Sequence, residues 1–526
     1  MASPRRLRSP ASWIAALALV LALLLPGLRG TWDPDEGRYT NVAMHMVDSG
    51  NWLEPHRSET VGHWTKPPLT YWAIAASVEV FGRNPWAARL PATLSYLLCA
   101  WLAWRIARRL VPPAAGASDA GDAGRQAPLV FATMLLPFGA AQYITTDYLL
   151  AACETLAMWA FVEARFGDGA QRAGGHARRW LALMWAGFGL AFLCKGPPGL
   201  LPLLAVFAFD LSTPAVLADG SRRPRALQWW ALPLFALVAL PWYLAVVVRN
   251  PGLLDYFVGA EVVDRVASDD FNRHGEWYGW LAIYAPTLVV GTLPWTPALW
   301  RWLRALPGRI RAWRTRDGRT ADRAGWLLAL WMALPLLVFC ISRSRMPLYI
   351  LPLFVPLALL VARQRRAEGR GLPRWRWLLA WAVLLLALEA ATASWPTHKD
   401  GAAWREAIAQ RVPGRVARVN FVEDMARYSL NLEMRADVEK LSLLPHADAP
   451  RFGPDYDTDV ATALQRGYDA DALWITKQDH FPAVRERLRA LGYATEVQGG
   501  PYERRTLFRV RPDAAPSPSP ARSPAH

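Results

Sequence analysis

The sequence predicts an all-α polytopic membrane protein that carries a small α/β domain after its last membrane helix. Three observations predict it. Apolar runs long enough to span hydrocarbon as helices recur about eleven times before residue 395. The chain holds 28 Trp and 53% hydrophobic residues in 526, and Trp in that abundance suits the headgroup level of a bilayer. Its 59 Lys and Arg, against 43 Asp and Glu, are spread between the apolar runs. A nucleic-acid binder would gather them on one soluble face, so the charge sets topology and no nucleic-acid partner is expected.

The runs lie at 12–28, 89–106, 127–143, 148–164, 180–194, 198–213, 228–248, 278–299, 325–341, 346–362 and 375–394. Arg5, Arg6 and Arg8 precede the first, which reads as a retained anchor because residues 25–30 lack a small-x-small cleavage signature. The richest basic stretches, 301–323 with eight Lys/Arg and 363–376 with six, are read as cytosolic. With the N-terminus cytosolic the alternation never breaks, and the segment after the last run is exported. Cys99, Cys153, Cys194 and Cys340 lie in or at the ends of apolar runs with no pairing spacing. They read as small buried hydrophobes, which excludes a disulfide scaffold and a cysteine zinc site.

The first exported loop, 30–88, is long and acid-rich, with Asp33, Asp35, Glu36, Asp48, Glu54 and Glu59. Asp35 and Glu36 open an amphipathic segment whose apolar positions 42, 43, 46 and 47 repeat at helical spacing. Residues 69–81 are apolar with Tyr71 and Trp72 and are expected along the interface. Residues 1–395, this loop included, form the expected transmembrane domain. From 396 to 512 the character changes, with strand-like runs at 416–422 and 472–476 alternating with a helical pattern at 481–491. That is the exported α/β domain. The Pro/Ser/Ala-rich end, 513–526, reads as a disordered tail.

This topology puts every unusual polar motif on one side. Exported are Trp32-Asp-Pro-Asp-Glu-Gly-Arg-Tyr39, Lys66-Pro-Pro-Leu-Thr-Tyr-Trp72, Thr145-Thr-Asp147, Lys195-Gly-Pro-Pro198, Asp264-Arg265 with Arg273-His274, and Ser342-Arg-Ser-Arg-Met-Pro-Leu-Tyr349. The cytosolic loops hold arginines, small residues and prolines. One-sided chemistry fits an enzyme working at one membrane face better than a transporter, which needs polar residues along a path between both.

The order of these motifs, with Gly50-Asn-Trp-Leu-Glu-Pro55 and the stretch from Phe81 to Pro91, resembles the membrane glycosyltransferases related to protein O-mannosyltransferases and to the aminoarabinose transferases that modify lipid A. The resemblance runs from about residue 30 to 360. It implies a multi-helix glycosyltransferase fold of the GT-C type, a polyprenyl-phosphate sugar donor, and catalysis outside the cytoplasmic membrane of a bacterium. In aminoarabinose transferases the residue before the loop lysine is often Glu, which shares a zinc with a loop histidine. Thr65 stands there in this chain, so no required metal is expected, although His63 lies close by.

Displacing a lipid phosphate from a sugar needs cations to hold the departing phosphate and a carboxylate to position or deprotonate the acceptor. Asp35 is the first candidate for that carboxylate, with Glu36 beside it and Asp147 as a second exported acid. Each also has a simpler reading as an acid at a helix N-terminus. Lys66, held by Pro67 and Pro68 in a fixed backbone direction, is the first phosphate candidate. Lys195, Arg265 and Arg345 follow, His274 and Tyr349 are candidate substrate contacts, and Arg38 and Tyr39 flank the acids. Glu154, near Asp147, is expected to support it.

The expected function is inverting transfer of a sugar from a polyprenyl-phosphate donor to an envelope acceptor, aminoarabinose to lipid A first. Transfer of a hexose to protein or another envelope glycan, and a lipid-linked sugar flippase, are the alternatives. The partners are the lipid donor, the acceptor and membrane lipids.

Overall fold

Inside hydrocarbon a chain must satisfy its own N–H and C=O groups, so apolar runs fold as helices. The computed structural model describes residues 10–111, 124–168, 175–214, 223–259, 274–446 and 450–513. It is mostly helical, with one small sheet near the C-terminal end. The expected tail at 514–526 lies outside the described residues.

The chain divides into two units: residues 1–28, 52–54 and 64–395, and residues 29–51, 55–63 and 396–526. In the first, five helices among the described residues are long and apolar enough to cross a membrane: Pro85–Leu110, Ala231–Arg249, Arg323–Ile341, Pro347–Ala367 and Trp375–Ala393. Shorter apolar helices include Pro10–Leu23, Leu69–Phe81, Pro197–Ser212 and Gly279–Gly291. The Thr146–Phe166 and Gly175–Lys195 helices pack along each other, with Gly187 so close to Ala157 that an added methyl would meet it at 3.0 Å.

Several expected runs are broken, and proline is the reason. The run 127–143 divides into Gln126–Thr133 and Leu135–Ala141. Pro137 has no N–H for the Thr133 carbonyl, and the Trp381 indole N–H bonds that carbonyl instead at 2.8 Å. The run 278–299 stops at Gly291 and restarts as Thr296–Trp313: Pro294 between them has no N–H to donate, and Pro297 sits in the first turn of the second helix, where none is needed. The run 346–362 opens as a 3-10 turn, Pro347–Leu353, before Phe354–Ala367. Two acids in the first unit are paired: Glu163 with Arg109 at 3.1 Å and Asp210 with the buried Arg165 at 2.6 Å. Cys99, Cys153 and Cys194 are buried and Cys340 is half-buried, all as free thiols.

The second unit is built on six strands: β1 (Arg418–Val422), β2 (Asp437–Ser442), β3 (Thr458–Asp459), β4 (Leu473–Lys477), β5 (Tyr493–Val497) and β6 (Arg505–Pro512), in the order β3-β2-β1-β4-β6-β5. The first four run parallel; β6 pairs antiparallel with β4, and β5 pairs antiparallel with β6. Val419, Phe421, Leu473 and Ile475 bury one face against Trp404, Ile408 and Leu430. Val422, Leu441, Trp474 and Phe508 bury the other against Val460, Leu464, Val484 and Leu488. Helices on both faces are what a parallel sheet requires.

One boundary differs from the sequence expectation. Residues 29–51 and 55–63 of the first exported loop belong to the sheet unit. The Asp35–Ser49 helix packs on the Ser429–Met434 helix, with the Asn431 amide donating to Asn41 Oδ1 at 2.9 Å. Arg57 pairs with Asp457 at 2.8 Å, and Arg418 with Glu59 at 3.0 Å. The apolar face of this helix, Val42, Ala43 and Met46, is therefore buried in protein rather than laid on a lipid surface.

Candidate active site

In the first unit two helix ends meet. Asp147 lies in the first turn of Thr146–Phe166, whose N-cap Thr145 accepts the Asp147 N–H at 3.3 Å. Lys195 is the last residue of Gly175–Lys195. An acid at a helix N-terminus and a cation at a C-terminus each suit the local dipole, and here they bond each other, Lys195 Nζ to Asp147 Oδ1. Lys195 Nζ also lies 4.5 Å from the centre of the Tyr349 ring. Gly196, at φ 74°, takes the left-handed backbone that turns the chain straight from Lys195 into the 197–200 3-10 helix. Cys194 contacts both the Thr146 carbonyl at 3.4 Å and the Thr70 hydroxyl at 3.5 Å, so the helix that follows Lys66 reaches the same place. Glu154 is buried two turns beyond Asp147.

Lys66 is half-buried, and its ammonium donates to the carbonyl of Thr65 at 2.7 Å. Arg345 is buried, but its guanidinium serves backbone: it donates to the carbonyls of His274, of Glu276 at 2.9 Å and of Cys340 at 3.1 Å. It holds the 274–279 turn, where a methyl on Gly279 would overlap the His274 carbonyl. His274 itself is exposed and at positive φ. Arg265 lies outside the described residues.

The second unit holds the acidic segment. Asp35 is half-exposed and pairs with Arg38 at 2.8 Å. Arg38 also lies 5.8 Å from the centre of the buried Tyr39 ring. Glu36 is fully buried, bound by Arg29 at 2.5 Å and by the Trp32 N–H at 2.9 Å. These two partners tie Glu36 into the 29–36 turn. Sequence reasoning passed over Asp33. Burial pushes its carboxyl up to about 7, opposed by hydrogen bonds from Ser429 and by the charge of Arg427. The signal for it was faint: three acids within four residues, of which only one faces outward.

Metal binding would need three or more clustered ligands. Among the described residues no group of His, Cys, Asp and Glu supplies them, and Thr65 offers no carboxylate.

Against known proteins, the dolichyl-phosphate-mannose-protein mannosyltransferase family model matches residues 65–248. Proteins named undecaprenyl phosphate-alpha-4-amino-4-deoxy-L-arabinose arabinosyl transferase are similar: that of Enterobacter sp. (strain 638) is 33% identical over 364 residues, 67% of this chain and 59% of its own length. A second, from Pseudomonas fluorescens (strain Pf0-1), is 33% identical over 377 residues, 68% of this chain and 62% of its own. The chain thus spans about three-fifths of the length of these curated relatives. The crystal structure of ArnT from Cupriavidus metallidurans bound to undecaprenyl phosphate superimposes with a TM-score of 0.71 at 22% identity, over 94% of this chain and 97% of that one.

Helical spans, a small sheet domain and that superposition define a multi-pass membrane protein of the GT-C fold. The chain belongs to the family of membrane glycosyltransferases that unites protein O-mannosyltransferases with aminoarabinose transferases, as its first-loop motifs implied.

Proposed function

We propose that this protein transfers aminoarabinose from undecaprenyl phosphate to lipid A at the exported face of the bacterial inner membrane. The observation that carries the reading is the Asp147–Lys195 pair at two helix ends, covered by the Tyr349 ring. A cation held there, in a site with little water, stabilises the phosphate as it departs. Lys195 and Lys66 take the donor phosphate, with Asp147 orienting Lys195 and Arg265 a further phosphate ligand. The bond from the anomeric carbon to the lipid phosphate oxygen breaks as an acceptor oxygen bonds that carbon. Undecaprenyl phosphate leaves with the electron pair. One displacement inverts the anomeric carbon, so comparing the configuration of donor and product tests this step.

A phosphate acceptor is already ionised at neutral pH and needs no strong base. Asp35 therefore positions the acceptor, and its partner Arg38 meets acceptor charge. Eleven spans, an N-terminus in the cytosol and the sheet unit outside complete the arrangement.

Mass spectrometry of lipid A tests the reading in cells with the gene, without it, and with Asp35→Asn. Loss of an aminopentose mass in both defective strains is the expected result. An unchanged lipid A with a missing hexose on envelope protein would move the acceptor to that of the mannosyltransferase relatives. Full activity of Asp35→Asn would remove that residue from the site.

A further inference from the structure

Asp33 is buried and lies two residues before Asp35. Its carboxylate accepts the hydroxyl of Ser429 and the Ser429 N–H at 3.3 Å, where the Ser429–Met434 helix begins. Backbone bonds surround this contact. The Asp33 N–H donates to the Lys399 carbonyl at 2.9 Å and the Gly401 N–H to the Thr31 carbonyl at 2.9 Å, pairing Trp32 with Asp400. The Thr31 N–H and hydroxyl donate to Glu433 at 3.1 and 3.2 Å.

Three glycines make room for it. A methyl on Gly30 would overlap Asp400 and Ala402, one on Gly37 would overlap Asp33 and the Ser429 nitrogen, and one on Gly401 would overlap Ser429 Oγ. At Gly30 and Gly37 the methyl would meet a backbone nitrogen as well as side chains, and at Gly401 it would meet the Ser429 and Glu433 side chains. So many direct bonds across about 400 residues of sequence describe a built junction.

We propose that Asp33 is a positioning residue: bonded to Ser429, it locks the acidic segment 31–38 onto the Ser429–Met434 helix of the same unit and so aims the Asp35 carboxylate. The sheet unit is then the scaffold of that carboxylate. The inference rests on the role given to Asp35 above, and its first readout does not depend on that role.

The test uses the full chain in detergent, with Asp33→Ala, Ser429→Ala and Asp33→Asn. Asparagine keeps the shape of Asp33 and an acceptor toward Ser429. Hydrogen exchange of peptides covering 31–40 is expected to quicken about tenfold or more in both alanine variants, while the Arg323–Ile341 helix stays as protected as in the parent. Transfer kinetics are expected to show kcat about tenfold lower or more at unchanged donor KM. Asp33→Asn is expected to restore protection and kcat to within about threefold of the parent. Should an alanine variant also lose protection in β1 and β4, Ser429→Cys decides on the same readouts. Unchanged exchange at 31–40 in both alanine variants would overturn the proposal. So would an Asp33→Asn protein that keeps its protection yet transfers as poorly as Asp35→Asn. If the parent transfers no aminoarabinose, the proposed function fails, while the exchange measurement still decides whether Asp33 locks the segment.

Discussion

Lys195 meets both Asp147 and the Tyr349 ring, and losing its charge weakens both interactions at once. In the proposed reaction Lys195→Met is expected to lower kcat about a hundredfold, the scale of one lost contact to a departing anion. Steady-state transfer assays with detergent-solubilised protein check this. A second residue-scale prediction concerns Glu439, whose carboxyl is pushed by burial from 4.5 up to about 7, against the opposing charge of Arg418. Its folded value exceeds its unfolded one, so its contribution is complete below the unfolded value and is lost as pH rises through about 7. Glu439→Gln has no carboxylate to bury. Peptides of β1 and β2 are therefore expected to exchange more slowly in the variant than in the parent at pH 8, and equally in both at pH 4.

The helices are written with the punctuation that ends and starts them. Asn84 accepts the Ala87 N–H at 2.8 Å to start Pro85–Leu110, and Asp459 accepts from Ala461 and Thr462 at 3.0 and 3.1 Å to start Val460–Arg466. Asp459→Ala is expected to cost the sheet unit about 1 kcal/mol, read as a lowered urea midpoint in the loss of β2 protection. The alternation at 416–422 and 472–476 became β1 and β4, and the pattern at 481–491 became the Phe481–Ala490 helix. The apolar runs behaved differently. Hydropathy measures how oily a stretch is, while Pro137 and Pro294, which lack an N–H, stand beside the points where these helices break.

For the whole molecule, the proposed orientation assigns opposite sides to Asp317 and Glu486, both exposed. In a background without the four native cysteines, Glu486→Cys is expected to react with a membrane-impermeant maleimide in intact spheroplasts. Asp317→Cys is expected to react only after permeabilisation. Labelling of both, or the reverse pattern, would refute the orientation drawn from the positive loops. The native thiols, mostly buried, are dispensable to this design.

What the sequence determined by itself is whatever depends on a residue and its near neighbours. Oily runs must become helices in a bilayer, cationic loops resist export, and an acid or a cation at a helix end is favoured by the dipole there. The family was legible for the same reason, since its motifs are short and contiguous. The tertiary structure alone decided which groups meet. Asp147 and Lys195 are 48 residues apart and Asp33 and Ser429 are 396 apart, and no local periodicity specifies either pair. It also decided that Glu36 bonds Arg29 and Arg345 bonds backbone carbonyls, and that half of the first loop folds with the sheet unit. A carboxylate or guanidinium reads the same along the chain whether it faces a substrate or a buried partner. Only packing, which sets the water and the charges around it, makes the two different.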